Sequence, residues 1–457
     1  MAARDEKNDG EMTAMEEREV VVDWEEAEER KLVLKVDLYL LPLLLLAFFF
    51  LCLDRTNISN ALTDNFTTDL GITTAQATLG NQLQQAGIVI FELPANLVLA
   101  RVGAHRWLVF LMLAWGCVAT FQCFIQNRAQ YYATRFLLGA FEGGFIPGAM
   151  YLLGQYHPRS AQSTRFAIAS GTSALIAAGV LTLDGVRGWS GWRWLFLIDG
   201  SMTLAFALIL LALLPGAPPD TRPVHGLFSL FDERERHILQ SRVQLENPPR
   251  MENPSMHFAI NFFGVMPAGG LVLFGPTIVK ELGFSTSKAN ALVAVGYYAA
   301  VPLALSLGFF ASRTRLNGIA SLIPFAWSCF FVGLFYHFDI TRSSSTSDSG
   351  TLYALFTLVL AAMLIGQPVN NAWCSKNATN DLERSAGLAL CVISSNLAGL
   401  VGQRIFPASD APEYRPGLVA AICLYVAAIL VVLAQMVQYA WCNRRASNAL
   451  AQWQFVL

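Results

Sequence analysis

Residues 215–256 read PGAPPDTRPVHGLFSLFDERERHILQSRVQLENPPRMENPSM, and everything else in the chain is arranged around them. The stretch holds seven prolines, five arginines and the charged run 231–242 inside a polypeptide that is otherwise largely apolar. Proline has no N–H to give and clashes with the preceding turn, so such a stretch does not continue a spanning helix. Six apolar runs precede it, at 37–62, 78–100, 107–126, 131–153, 165–185 and 194–214. Six follow, at 257–279, 289–311, 317–337, 352–373, 385–406 and 416–438. About 20 apolar residues cross a hydrocarbon core roughly 30 Å thick as a helix. Lipid offers the backbone no hydrogen bonds, so these runs must be helical. The composition agrees: 54% hydrophobic and 14% charged, against about 25% charged in soluble domains.

The expectation is an all-α membrane protein with 12 transmembrane helices in two six-helix bundles, the layout of the major facilitator fold. Its parts would be an acidic tail (1–36), a first bundle (37–214), the linker (215–256), a second bundle (257–438) and a short tail (439–457). Residues 1–31 carry twelve acids against five bases and read as a disordered arm, with no apolar core or cleavage site of a signal peptide.

Lysine and arginine set the orientation. Arg101, Arg106, Arg159, Arg165, Arg313, Arg315, Lys376, Arg384, Arg444 and Arg445 fall on the linker's side of the membrane, and the first loop on the other side, 63–77, has no basic residue. Both termini and the linker are therefore expected in the cytosol, and the protein in the plasma membrane. Of three Asn-x-Ser/Thr sequons, Asn57 lies in a span and Asn377 on the inner side; Asn65 alone sits in an outer loop, as the glycosylation candidate. The eight cysteines are scattered, with no paired spacing and no histidine cluster, so no metal and no cofactor is expected. Nor does a nucleophile elbow or phosphate loop appear, which argues against an enzyme.

Ionisable residues inside spans are costly and mark function by default. Asp54 and Arg55 lie in the first span, Arg135 and Glu142 in the fourth. At about 1.5 Å per residue, the first pair falls between the other two in depth. Two carboxylates and two arginines can then meet in the outer half of the first bundle. The structural alternative is a salt-bridge network that pins the two helices. The functional reading is anion–proton symport. Arginine grips a carboxylate with two parallel hydrogen bonds and stays charged when buried. A carboxylate that loses its arginine to an incoming anion gains affinity for a proton, so anion and proton favour each other. On this reading Asp54 and Glu142 couple protons, while Arg55 and Arg135 bind substrate. Tyr297 and Asn396 are the substrate candidates of the second half, which has almost no charge deep in its spans. Glu92, beside Pro94, reads equally as a gate or as helix packing. Asp199 reads as the partner of an outer-side arginine. Gly139, Gly143, Gly144 and Gly148, with Ser170, Gly171, Ser173 and Gly179, read as close helix contacts.

The stretch 53–61, LDRTNISNA, resembles the first-span signature of the anion:cation symporter family, and more narrowly its fungal allantoate permease branch. The resemblance continues through RFLLG at 135–139, EGGFIPG at 142–148, GWRWLF at 191–196, GPTIVK at 275–280 and DAPEY at 410–414. It implies proton-coupled transport of small organic anions, with protonation at Asp54 and Glu142 and anion binding at Arg55 and Arg135. The implied partners are a small-molecule anion, protons and the lipid bilayer, for a monomer that binds no nucleic acid. The chain departs from the pattern at 101–106, which lacks an acid, at 311–315, and at Asp199, where Glu is usual. The rival functions are an exporter or uniporter of a carboxylated metabolite and a non-transporting nutrient sensor.

Overall fold

The computed structural model describes residues 24–154, 156, 183–218, 220–226, 229–244, 255–314, 316–341, 349–377, 381–406, 410, 414–447 and 456. The expected fifth span, with its small residues Ser170, Gly171, Ser173 and Gly179, lies outside them but for 183–185. Among the described residues there is no strand.

The first half contains α1 (Glu26–Ala61), the short α2 (Phe66–Leu70), α3 (Thr74–Val102), α4 (Ala104–Phe121), α5 (Arg128–Glu142), α6 (Phe145–Gly154) and α7 (Gly191–Leu213). The linker holds α8 (Glu233–Gln244). The second half contains α9 (Ser255–Glu281), α10 (Thr286–Thr314), α11 (Asn317–Thr341), α12 (Ser349–Met363), α13 (Gly366–Asn377), α14 (Asp381–Gly402) and α15 (Arg415–Ser447). Nine helical stretches among the described residues are long and apolar enough to cross a membrane. Helix α3 is 29 residues long but carries several amides and Glu92, and α14 contributes a shorter apolar stretch, Gly387–Gly402.

Local chemistry accounts for the ends. Three acids in the first turn of α1 (Glu26, Glu28, Glu29) favour its positive amino-terminal pole, so the helix starts eleven residues before the apolar run at 37. Thr73 and Gln76 form a reciprocal capping box that starts α3. Gly103, at φ 93°, allows the sharp turn from α3 into α4. The fourth and tenth spans, expected as single helices, each run as one membrane-crossing stretch, Arg128–Leu153 and Ser349–Asn377, with a local irregularity inside it. Gly143 and Gly144 separate α5 from α6, and Leu364 and Ile365 separate α12 from α13.

In the first half α3 packs on α5, and α4 and α1 pack on α7; in the second, α9 packs on α14 and α15, and α11 on α15 and α12. The halves meet along α3 with α14 and α1 with α9. The linker helix clasps the start of α1. Lys35 donates to both oxygens of Glu235 at 2.8 and 2.9 Å, Arg234 reaches Glu28 at 3.3 Å, and Phe231, Ile238 and Leu239 are buried in the first-half core. At the opposite, distal end the halves are tied through Thr63. Its carbonyl accepts from Lys280 Nζ (2.8 Å) and Thr286 Oγ1 (3.2 Å), and its hydroxyl accepts from Asn290 Nδ2 (2.9 Å).

The glycines of α5 sit where backbones cross. A Cβ on Gly139 would fall inside the envelope of the Gln84 carbonyl oxygen of α3, and one on Gly143 would stand 2.7 Å from the Ile88 carbonyl oxygen. Backbone cannot step aside as a side chain does. Gly139→Val is therefore expected to cost about 1–3 kcal/mol, the range for overpacking, seen as a lower unfolding midpoint in detergent. An unchanged midpoint would mean that the α3–α5 crossing is looser than drawn.

Candidate substrate cavity

Between the halves lies a cavity of about 230 Å³, below the roughly 300–1,000 Å³ of sites for drug-sized ligands and suited to a smaller solute. Arg55 and Ser59 of α1 and Asn81 and Gln85 of α3 form one wall; Tyr297 of α10, Asn371 of α13 and Asn396 of α14 face them. Both second-half candidates, Tyr297 and Asn396, thus line this space.

Arg55 is the charged group on the cavity wall. Its side chain is 20% exposed, and its Nε donates to Glu142 Oε2 at 2.9 Å. Glu142 is fully buried at the last turn of α5, just before Gly143 and Gly144. Gln84 Nε2 of α3 donates to both of its oxygens, at 3.0 and 3.2 Å. The carboxylate is therefore held between a cation that reaches the cavity and an amide that does not line it.

The other two first-half charges stand one layer back. Arg135 is fully buried and donates from Nη2 to Asn81 Oδ1 at 2.6 Å; its Nε and Nη1 meet no acceptor. It touches the cavity only through Asn81, which lines it. Asp54 follows the helix twist away from Arg55, about 100° per residue, and points to α7. There its Oδ2 accepts from Thr203 Oγ1 at 3.1 Å, while Oδ1 has no donor. The four charges share a neighbourhood, but only Arg55 and Glu142 form an ion pair.

Asp199 does not pair with an arginine. It is buried in α7 near Asn57 of α1, and Arg193 donates instead to the carbonyls of Cys123 (2.7 Å) and Ile125 (3.3 Å) in the segment that follows α4. Asn65 is exposed at the start of α2.

Several contributors were not singled out from the sequence. Asn81 and Gln85 build the first-half wall with Gln84 behind them, and the signal was present as four Asn and Gln residues among 81–85 inside a predicted span. His257, read as the start of the seventh span, is buried between Asn370 Oδ1 (2.8 Å) and the Tyr439 hydroxyl (2.9 Å). Asn370 is thus absorbed into helix packing, whereas Asn371 reaches the cavity. Glu92 is fully buried, and its Oε2 accepts from Asn396 Nδ2 across the two halves at 3.2 Å.

Two helical halves around a central, largely apolar cavity that carries polar groups on both walls have the layout of a membrane carrier, and comparison with known proteins agrees. Residues 44–403 match the family described as the Major Facilitator Superfamily, and the chain belongs to it. It is a multi-pass membrane transporter of small molecules and not an enzyme. An MFS-type transporter of Penicillium expansum, cnsO, is 29% identical over 416 residues, 86% of this chain and 79% of that one. A putative tartrate transporter of Agrobacterium vitis is 30% identical over 300 residues, 61% of this chain and 64% of its own. The crystal structure of the nucleoside transporter NupG matches with a TM-score of 0.57 at 12% identity, over 88% of this chain and 99% of that one, and supports the fold.

Proposed function

We propose that the chain is a proton-coupled symporter of a small organic anion, of the anion:cation type and near its allantoate permease branch, with both termini and the linker in the cytosol and the plasma membrane as its site. The observation that carries this is the pair Arg55–Glu142, one partner on the cavity wall and the other fully buried. A guanidinium has five N–H groups, and Glu142 engages the Nε–H. The terminal amino groups of Arg55 are then the natural grip for a substrate carboxylate. An anion that draws Arg55 toward itself leaves Glu142 buried with Gln84 as its remaining donor. A buried charge without its counterion is costly, and a proton removes that cost. Anion and proton then enter together. The relative named for tartrate, a dicarboxylate, supports the substrate class.

Proteoliposomes with an interior one pH unit more alkaline than the medium test this with labelled tartrate, allantoate and nicotinate. One proton per monoanion gives about tenfold accumulation, since tenfold corresponds to roughly 1.4 kcal/mol. Accumulation of at least one of the three, abolished by a protonophore, is expected. Equilibration of all three without accumulation would sink the symport reading.

A further inference from the structure

Glu92 is a buried carboxylate that the transport reading leaves idle. It lies on α3, which runs along α14, and it is fully buried at the seam between the halves. One oxygen accepts from Asn396; the other, Oε1, has no donor. Arg55 acts on it electrostatically from α1, but the Arg55 Nε is committed to Glu142. A carboxylate held by one neutral amide in a buried seam is poorly satisfied. Helix packing alone would be served better by an apolar residue of similar size.

The partner matters more than the residue. Asn396 lines the cavity, opposite Arg55. Its amide is a donor that a substrate carboxylate entering there would seek, and in this conformation the chain's own carboxylate has it. Farther along the same seam Arg404 Nε donates to Gln82 Oε1 at 3.0 Å, and Gln82 Nε2 donates to the Leu400 carbonyl at 3.3 Å. The Glu92–Asn396 bond is the member of this row that ends in the cavity.

We propose that Glu92 is the chain's own occupant of the carboxylate subsite at Asn396, a latch between the halves that the substrate carboxylate displaces. The inference rests on the organic-anion reading above. Once an anion takes the Asn396 amide, Glu92 loses its donor, and the α3–α14 seam loses a cross-half bond. Binding thereby removes one of the cross-half bonds of the conformation whose distal end is closed by the ties at Thr63 and Gln82. Glu92 is a positioning residue in this scheme: it acts through Asn396 and touches no substrate.

Distances between spin labels at Leu79→Cys and Val401→Cys, exposed positions at the distal end of α3 and α14, read the seam directly. The background has Cys117, Cys329, Cys423 and Cys442 changed to serine. Without any anion, Glu92→Ala is expected to raise the ratio of separated to tied halves about tenfold, equivalent to roughly 1.4 kcal/mol. Asn396→Ala should do the same, and the double variant no more than either, because both remove one bond. Glu92→Gln, an isostere that keeps an acceptor, should move the ratio less in the same direction. Among tartrate, allantoate and nicotinate, the anion that the protein accumulates should reproduce the Glu92→Ala distribution in otherwise unmodified protein.

An unchanged distribution in both Glu92→Ala and Glu92→Gln overturns the latch, as do fully additive effects of the two alanine variants. An accumulated anion that leaves the distribution where it was overturns displacement. Failure of the transport reading looks different: no anion is accumulated, whatever the labels report.

Discussion

Arg55→Lys protein, purified in detergent, is expected to lose most of the thermal stabilisation that a bound carboxylate gives the unmodified chain, while unfolding at nearly the same temperature without ligand. The Arg55 side chain reaches the cavity and meets Glu142 through Nε alone at 2.9 Å. A lysine ammonium can still lie against Glu142 as a point charge, so the helix contact survives. The planar two-point grip does not. A hydrogen bond to a charged group is worth about 1.5–3 kcal/mol, which predicts about ten- to hundredfold weaker binding. At ligand about 100 times the dissociation constant, the unmodified protein gains about 2.7 kcal/mol, whereas a site a hundredfold weaker gains about 0.4. Arg135→Lys should behave differently. Arg135 is fully buried behind Asn81, to which it donates at 2.6 Å, so its loss should appear chiefly as a lower midpoint without ligand. An unchanged ligand shift in Arg55→Lys would remove Arg55 from the anion site, and with it the physical reason to choose an anion.

The spans that fall within the described residues were legible because a run of apolar residues has one structural solution in lipid. Arg135 and Glu142 were legible as inward-facing because charge in a span has few places to go. What the sequence withheld was rotation and register. Asp54 and Arg55 are neighbours in the chain, yet one faces α7 and the other the cavity, since consecutive residues on a helix diverge by about 100°. No local pattern says which is which. Gly143 and Gly144 read as close packing, which they provide. The contact between Glu92 and Asn396 joins residues 304 apart. It depends on how the two halves sit against each other, and only assembled helices fix that.

Glu142→Gln should separate coupling from binding. The carboxylate lies between Arg55 at 2.9 Å and Gln84 at 3.0 and 3.2 Å, fully shielded from the cavity. A glutamine keeps the shape and one acceptor oxygen but carries no charge and takes up no proton. Breaking a buried ion pair by removing one partner costs about 3–5 kcal/mol. The cost here should be smaller, because Arg55 faces the cavity and can be solvated there. With its competitor for the guanidinium neutral, a substrate carboxylate should bind Arg55 at least as well as before. Transport should then run as exchange: labelled anion crosses against unlabelled anion at a measurable rate. Under a gradient of one pH unit the inside-to-outside ratio should stay near 1, against the tenfold or so expected of one proton per monoanion. Tenfold accumulation by Glu142→Gln would show that the proton is carried elsewhere, with Asp54 the next carboxylate to test. Loss of both exchange and ligand-induced stabilisation, in protein that still unfolds cooperatively, would give Glu142 the structural role of holding Arg55 in place. Retained exchange with lost accumulation is the outcome that ties the proton to this pair.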